Sequence, residues 1–147
     1  MELRLYKESY RETADPGRVR LLFEGKAPPG ANEGPMRDFY LFVWLRDSRY
    51  VENFQAVLAD DLVFSYAGPH RVSIGRITDS PVKRAVQGGV SETDKRSIRE
   101  ALAGMHSRDF PDLVNKIAGR AAKGLNCDMQ LSAAEQRLFR QLKTGTG

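Results

Sequence analysis

Tyr40, Phe42 and Trp44 alternate with Leu41, Val43 and Leu45 in the most apolar run of the chain, Phe39 to Leu45. In an extended strand this spacing puts three aromatic side chains on one face and three aliphatic ones on the other, which describes a central strand covered on both sides. An aromatic strip of this kind stacks on a flat or sugar-like ligand, or seats a protein partner, when a few polar groups beside it fix the orientation. The following strands offer such groups. If Asp47-Ser48 is a two-residue turn, Trp44 faces Val51, Phe42 faces Asn53 and Tyr40 faces Gln55. Three-residue loops at the next two hairpins then set Gln55 beside Ser65 and Ser65 beside Ser73, with Arg71 at the margin. The ligand or interface candidates are therefore Tyr40, Phe42, Trp44, Asn53, Gln55, Ser65, Arg71 and Ser73. The competing reading of the same residues is plain core for the aromatics and solvated strand positions for the rest.

Catalytic and metal-binding patterns are sparse. Phosphate loops need glycines at fixed spacing between a strand and a helix. The nearest segment, Gly88-Gly89-Val90-Ser91, runs into Glu92 and Asp94, whose carboxylates repel an anion. Nucleophile elbows, H-E-x-x-H and C-x-x-C spacings do not occur. Asp60-Asp61 reads as turn chemistry. His70 sits at a hairpin tip after Gly68-Pro69, and His106 just past an apolar helical stripe, both ordinary places for a solvated imidazole. Cys127 has an acidic neighbour, Asp128, which disfavours a reactive thiolate, and one cysteine with two histidines cannot build the usual zinc site. No cofactor and no metal are expected. The enzyme alternative is a site assembled only by the fold, for example from Glu24, Glu52 and Tyr66.

Charge points away from a dedicated nucleic-acid arm. The formal charge is +4 and the sequence pI about 9.4, but residues 1 to 91 carry 13 basic and 12 acidic groups, and residues 92 to 147 carry 10 and 7. Such interspersion gives weak, salt-sensitive binding to nucleic acid rather than specific recognition. Arginine outnumbers lysine 16 to 7, which suits bidentate anion contacts but also follows from base composition. No segment has the roughly 18 apolar residues of a membrane helix, and the N-terminal MELRLYKESY lacks a signal-peptide block. A cytoplasmic address is expected, without a membrane.

The elements that must position these residues change period near residue 80. Before it, Leu3 and Leu5, then Val19, Leu21 and Phe23, alternate with charged residues as half-wet strands. A proline- and glycine-rich loop is expected over residues 26 to 35, followed by strands at Asp38–Arg46, Tyr50–Leu58, Leu62–Ala67 and Arg71–Ile77. After it the punctuation is helical. Asp79-Ser80-Pro81 reads as a cap and first-turn proline of a short helix ended by Gly88-Gly89. Ser91 to Asp94 and Ser132 to Glu135 read as capping boxes. Between them a helix starts near Asp109–Pro111, carries Phe110, Leu113, Val114, Ile117, Ala118 and Ala121 on one side, and stops at Gly124.

At 147 residues this makes a single α+β domain, with an antiparallel meander of about six strands over residues 1 to 78. Three to four helices over 79 to 143 pack on one face. The expected function is non-catalytic binding through the second sheet face. The partner is another copy of the chain or another protein, with a small ligand as a further option.

Overall fold

A computed structural model describes residues 1–6, 11–12, 18–27, 36–47, 50–59, 61–67, 71–77, 85–86, 90–123 and 131–137. The alternating segments form β1 (Glu2–Leu5), β2 (Arg11–Glu12), β3 (Arg18–Ala27), β4 (Arg37–Arg46), β5 (Tyr50–Leu58), β6 (Leu62–Tyr66), β7 (Val72–Ile77) and β8 (Ala85–Val86). Then follow α1 (Glu92–Ala103), β9 (His106–Ser107) and α2 (Pro111–Lys123), with residues 133–137 again helical. The fold is α+β. The strands run in the order β8-β7-β6-β5-β4-β3-β1-β9, with β2 also on β3, and every pairing is antiparallel except β1 with β9.

One face of this sheet carries the core. Leu21 and Phe23 of β3, Leu41, Val43 and Leu45 of β4, Phe54 and Ala56 of β5 and Phe64 of β6 are buried together with Ile98 and Leu102 of α1 and Leu113, Val114 and Ile117 of α2. Phe110, just before α2, meets the Phe23 ring edge-on at 6.0 Å, a favoured aromatic geometry. Arg37 of β4 donates through Nη1 to Ser97 Oγ of α1 at 2.8 Å. Arg120 of α2, itself buried, lies 5.3 Å from the Tyr66 ring centre. Helices and sheet are thus joined by apolar, cation–π and hydrogen-bonded contacts over the same layer.

Local chemistry sets the helix starts. Ser91 Oγ accepts the Asp94 backbone N–H at 3.1 Å and Asp94 Oδ2 accepts that of Ser91 at 3.2 Å, the reciprocal box expected at α1. Glu135 N donates to Ser132 Oγ at 3.2 Å, and Ser132 N donates to Glu135 Oε1 at 3.4 Å. The last helix begins the same way.

Four sequence expectations need correction. First, Ala85 and Val86 are not helical: they pair with Ile77 and Arg76 as an added strand. An open β7 edge offers backbone partners that outweigh the capping pattern around Pro81, and the rest of that expected helix lies outside the described residues. Second, β3 continues through Lys26 and Ala27, which pair with Asp38 and Arg37, so these two residues are strand and not loop, while residues 28 to 35 of the expected loop lie outside the described residues. Third, β9 had no periodic signal. His106 N donates to Met1 O at 2.9 Å, and the N-terminal ammonium donates to Gly104 O at 3.0 Å. These bonds tie the segment after α1 to β1.

The fourth correction concerns register. Arg46 pairs with Tyr50 and Leu45 with Val51, so the first hairpin loop has three residues and not two. The pairing then slips, and Trp44 faces Asn53, Phe42 faces Gln55 and Tyr40 faces Val57. Glu52 is the extra, bulged residue, and its carboxylate pairs with Arg46 at 3.3 Å. Loop and bulge each add one residue, so from Asn53 onward the two offsets together preserve parity and side chains keep their expected faces, while Val51, ahead of the bulge, turns to the core side opposite Leu45 instead of facing Trp44.

Candidate functional site

The face turned away from α1 and α2 is laid out by β4. Tyr40, Phe42 and Trp44 stand on it at alternate positions, each half-buried, while Leu41, Val43 and Leu45 on the core side are wholly buried. The Phe42 and Trp44 rings lie 6.1 Å apart with 25° between their planes. Pairing carries this strip across the sheet. Phe42 faces Gln55, Gln55 faces Ser65 and Ser65 faces Ser73, one row over four strands. Gln55 Nε2 donates to Ser65 Oγ at 3.2 Å. Trp44 and Asn53 form the adjacent row. Asn53 Oδ1 is buried and has no hydrogen-bond partner among the described residues, a costly state for an amide oxygen unless something else supplies a donor. Arg71 lies exposed at the margin beyond Ser73, and its carbonyl accepts the Ala67 N–H at 2.9 Å.

All eight candidate residues therefore lie on, or at the rim of, one face. All three aromatics change partner by two residues through the loop and bulge together: Trp44 gains Asn53, Phe42 exchanges Asn53 for Gln55, and Tyr40 alone loses a polar neighbour, with Val57 opposite it in place of Gln55. Val57 and Val63 pair on this face and are buried there.

The β3 contribution was not anticipated. Arg20, Leu22 and Glu24 face Trp44, Phe42 and Tyr40 in register, and the Arg20 guanidinium sits 5.8 Å from the Phe42 ring centre, a cation–π contact. The signal existed in the sequence, since these three residues are the half-wet side of the Val19-Leu21-Phe23 alternation. Beyond them Glu2, Arg4, Glu24, Gly25, Lys26, Asp38 and Tyr40 line a cleft of about 420 Å³. Lys26 donates to Asp38, and that hydrogen bond and charge hold the ammonium pKa above its ordinary 10.5. The end of the face near β1 is thus a mixed, largely self-paired charge cluster.

A second cleft, of about 440 Å³, runs along the outer side of α1 between Glu92, Lys95, Arg96, Arg99, Glu100 and Ala103. Lys95 pairs with Glu92 there at 3.2 Å, and alternating signs leave no single field for an anion. The residues named for an enzyme are not brought together. Tyr66 is on the core face under Arg120, whereas Glu24 and Glu52 lie on either side of β4, Glu24 level with Tyr40 and Glu52 level with the Trp44–Leu45 step. His106 is exposed in β9, and His70 and Cys127 lie outside the described residues. Among the described residues no group of three or more His, Cys, Asp or Glu side chains is placed to hold a metal ion, and no helix is long and apolar enough to cross a membrane.

Comparison with protein-family models, with curated proteins and with solved structures gives no match.

Proposed function

We propose that this chain is a non-catalytic interaction domain of the cytoplasm that self-associates through the sheet face opposite its helices. The observation that carries this reading is the strip Tyr40, Phe42 and Trp44, flanked by Leu22, standing half-buried where neither α1 nor α2 covers it. Water-facing aromatic rows on a sheet are costly to leave open, and a second copy removes them from water at no cost in new sequence. A small flat ligand on the same strip is the second reading, favoured by Asn53 Oδ1, which has no hydrogen-bond partner among the described residues. Its amide oxygen would take a ligand N–H or O–H beside the Trp44 ring.

Sedimentation over a wide concentration range tests the main reading. The wild type is expected to dimerise and Trp44→Glu to give a folded monomer by circular dichroism, since the charge is hydrated once the face is free. Wild-type protein that stays monomeric throughout overturns self-association.

A further inference from the structure

The end of the sheet face that holds Trp44 gathers arginines which the sequence keeps apart. Trp44 pairs with Arg20 of β3 on one side and with Asn53 of β5 on the other. The Phe54–Tyr66–Val72 ladder lies one residue further along, so Arg71, whose carbonyl accepts the Ala67 N–H at 2.9 Å, ends the same row beyond Asn53. Strand pairing also sets Arg11 opposite Arg20 and Arg18 opposite Arg46. Among the described residues, the acidic groups at this end are Glu52, paired with Arg46, Asp47, just past β4, and Glu12, whose register partner Val19 belongs to the core. Between the arginines lie flat surfaces. The Phe42 and Trp44 rings are 6.1 Å apart and stacked, and the Arg20 guanidinium covers the Phe42 ring at 5.8 Å. Beside Trp44, Asn53 Oδ1 is buried with no hydrogen-bond partner among the described residues.

We infer that this row binds single-stranded nucleic acid, with bases stacked on Trp44 and Phe42 and phosphates held by Arg20, Arg46 and Arg71, without regard to base sequence. The inference goes beyond self-association and does not rest on it. Guanidinium groups take phosphate oxygens in pairs of hydrogen bonds. Every base offers a π-face to an aromatic ring, so stacking is tolerant of sequence. Asn53 Oδ1 accepts an N–H from the edge of an unpaired base, which supplies the donor it lacks. A duplex holds its bases stacked inward, so a sheet surface reaches only its backbone. A polyanion without bases answers the arginines alone and an apolar partner the rings alone, whereas a single strand answers both. Arg20 and Arg71 are four strand spacings apart, roughly 19 Å, the reach of a few nucleotides and the scale of known single-strand sites. The buried Val57–Val63 pair lies on the Tyr40 side of Phe42 and takes no part.

The test uses a fluorescein-labelled thymidine oligonucleotide of about 12 nucleotides, read by anisotropy, with circular dichroism as the folding control for each variant. At about 50 mM salt the wild type is expected to bind it at least about tenfold more tightly than the matching duplex, and more weakly as salt rises. An unlabelled strand should quench Trp44, the chain's single tryptophan. Arg20→Gln should weaken binding and reduce the salt slope by about 0.7, the share of one phosphate on a single strand. Phe42→Leu keeps the apolar bulk but loses the ring, and should bind about fivefold more weakly with the slope unchanged. Arg96→Gln, on the outer side of α1, should bind as the wild type does. Should Arg20→Gln or Phe42→Leu fail to fold, the exposed Arg71→Gln takes its place, with the same loss of slope expected as for Arg20→Gln. No binding at low salt, a duplex bound as tightly, inorganic polyphosphate competing as well as an unlabelled strand, or Arg96→Gln as damaging as Arg20→Gln each overturns the assignment, as does wild-type affinity in the Arg20, Phe42 or Arg71 variants. Sedimentation of the same samples separates this inference from self-association. A dimer that ignores the oligonucleotide overturns this inference alone, and a monomer that binds it overturns self-association alone. Both use Trp44, so the oligonucleotide should dissociate a dimer.

Discussion

Glu135 Oε2 accepts the backbone N–H of Leu113 at 2.9 Å, while its other oxygen accepts from Ser132, so one buried carboxylate closes the N-terminal turns of two helices. The exposed amides at a helix start have no partner within the helix, and the aligned peptide dipoles there favour a negative charge. Replacing Glu135 by Ala removes both caps and leaves the Leu113 N–H buried without an acceptor. A loss of about 2 to 3 kcal/mol is expected in urea unfolding, whereas Glu135→Gln, which can still accept one bond, should lose about half as much. Equal losses would mean that the charge and second bond contribute nothing.

Arg76 of β7 makes the corresponding link between sheet and α1. It donates to Asp61 Oδ2 at 2.6 Å and to Asp94 Oδ2 at 2.8 Å, the same Asp94 that closes the α1 capping box. The Ser91 backbone N–H, then the Ser91 hydroxyl and Arg76, hold the Asp94 carboxyl below its ordinary 3.8, against a partial opposing effect of burial. A depressed folded pKa means that the unfolded chain binds more protons in this window. The stability from Asp94 is therefore complete above about pH 5 and is lost as pH falls through 3.8 and on through the lower folded value. Asp94→Asn should be less stable than wild type at pH 7, and the gap should narrow on acidification below pH 4. A gap that stays constant from pH 7 to pH 3 would remove Asp94 ionisation from the account.

The parts of the fold that were legible in the sequence are those decided within a few residues. Ser91 with Asp94 and Ser132 with Glu135 are caps because their side chains reach backbone amides three residues away. The Gln55, Ser65 and Ser73 row followed from three-residue loops, the length that best matches apolar residues across these strands. From Asn53 onward face identity also survived, because the loop and the Glu52 bulge offset each other in parity. What could not be read needs information from elsewhere in the chain. The Trp44 to Asn53 pairing depends on a bulge with no compositional mark, Ala85 and Val86 are strand because β7 has a free edge, and His106 joins the sheet because the N-terminus lies next to it. Arg20 escaped notice for the same reason. Its position over Phe42 is a cross-strand relation, and alternation alone shows only that it faces away from the core.

Ala59, in the loop between β5 and β6, has φ of 54°, in the left-handed region where a Cβ crowds the following carbonyl. Its N–H nevertheless donates to Asp38 O at 2.9 Å, so the conformation is fixed by pairing with the start of β4. Ala59→Gly relieves the crowding, and the greater freedom it gives the unfolded chain offsets only part of that gain. A rise in stability of about 0.5 to 1 kcal/mol is expected, read as a higher urea midpoint with unchanged slope. A lower midpoint would show that Ala59 is not held left-handed in solution.

Gly25 gives the opposite expectation. It sits in β3 opposite Phe39, where a Cβ would lie 2.7 Å from the Glu2 carbonyl oxygen and 2.7 Å from Leu3 Cδ2. The first of these is backbone, so relief requires β1 itself to move. β1 is held on this side by Tyr6 N donating to Leu22 O at 2.8 Å and by Leu5 N donating to Asp109 Oδ2 at 2.8 Å, and Leu3 is wholly buried between sheet and helices. Shifting the strand would therefore break edge hydrogen bonds and unseat a core leucine together. Gly25→Ala should cost about 2 to 3 kcal/mol, in the range of other overpacked sites. Because β1 is the strand displaced, hydrogen exchange should localise the damage, with the Leu5 and Tyr6 amides losing protection while those of β5 and β6 follow global stability. Uniform loss across all strands would place the strain in the central sheet and refute the close approach of β1 as its cause.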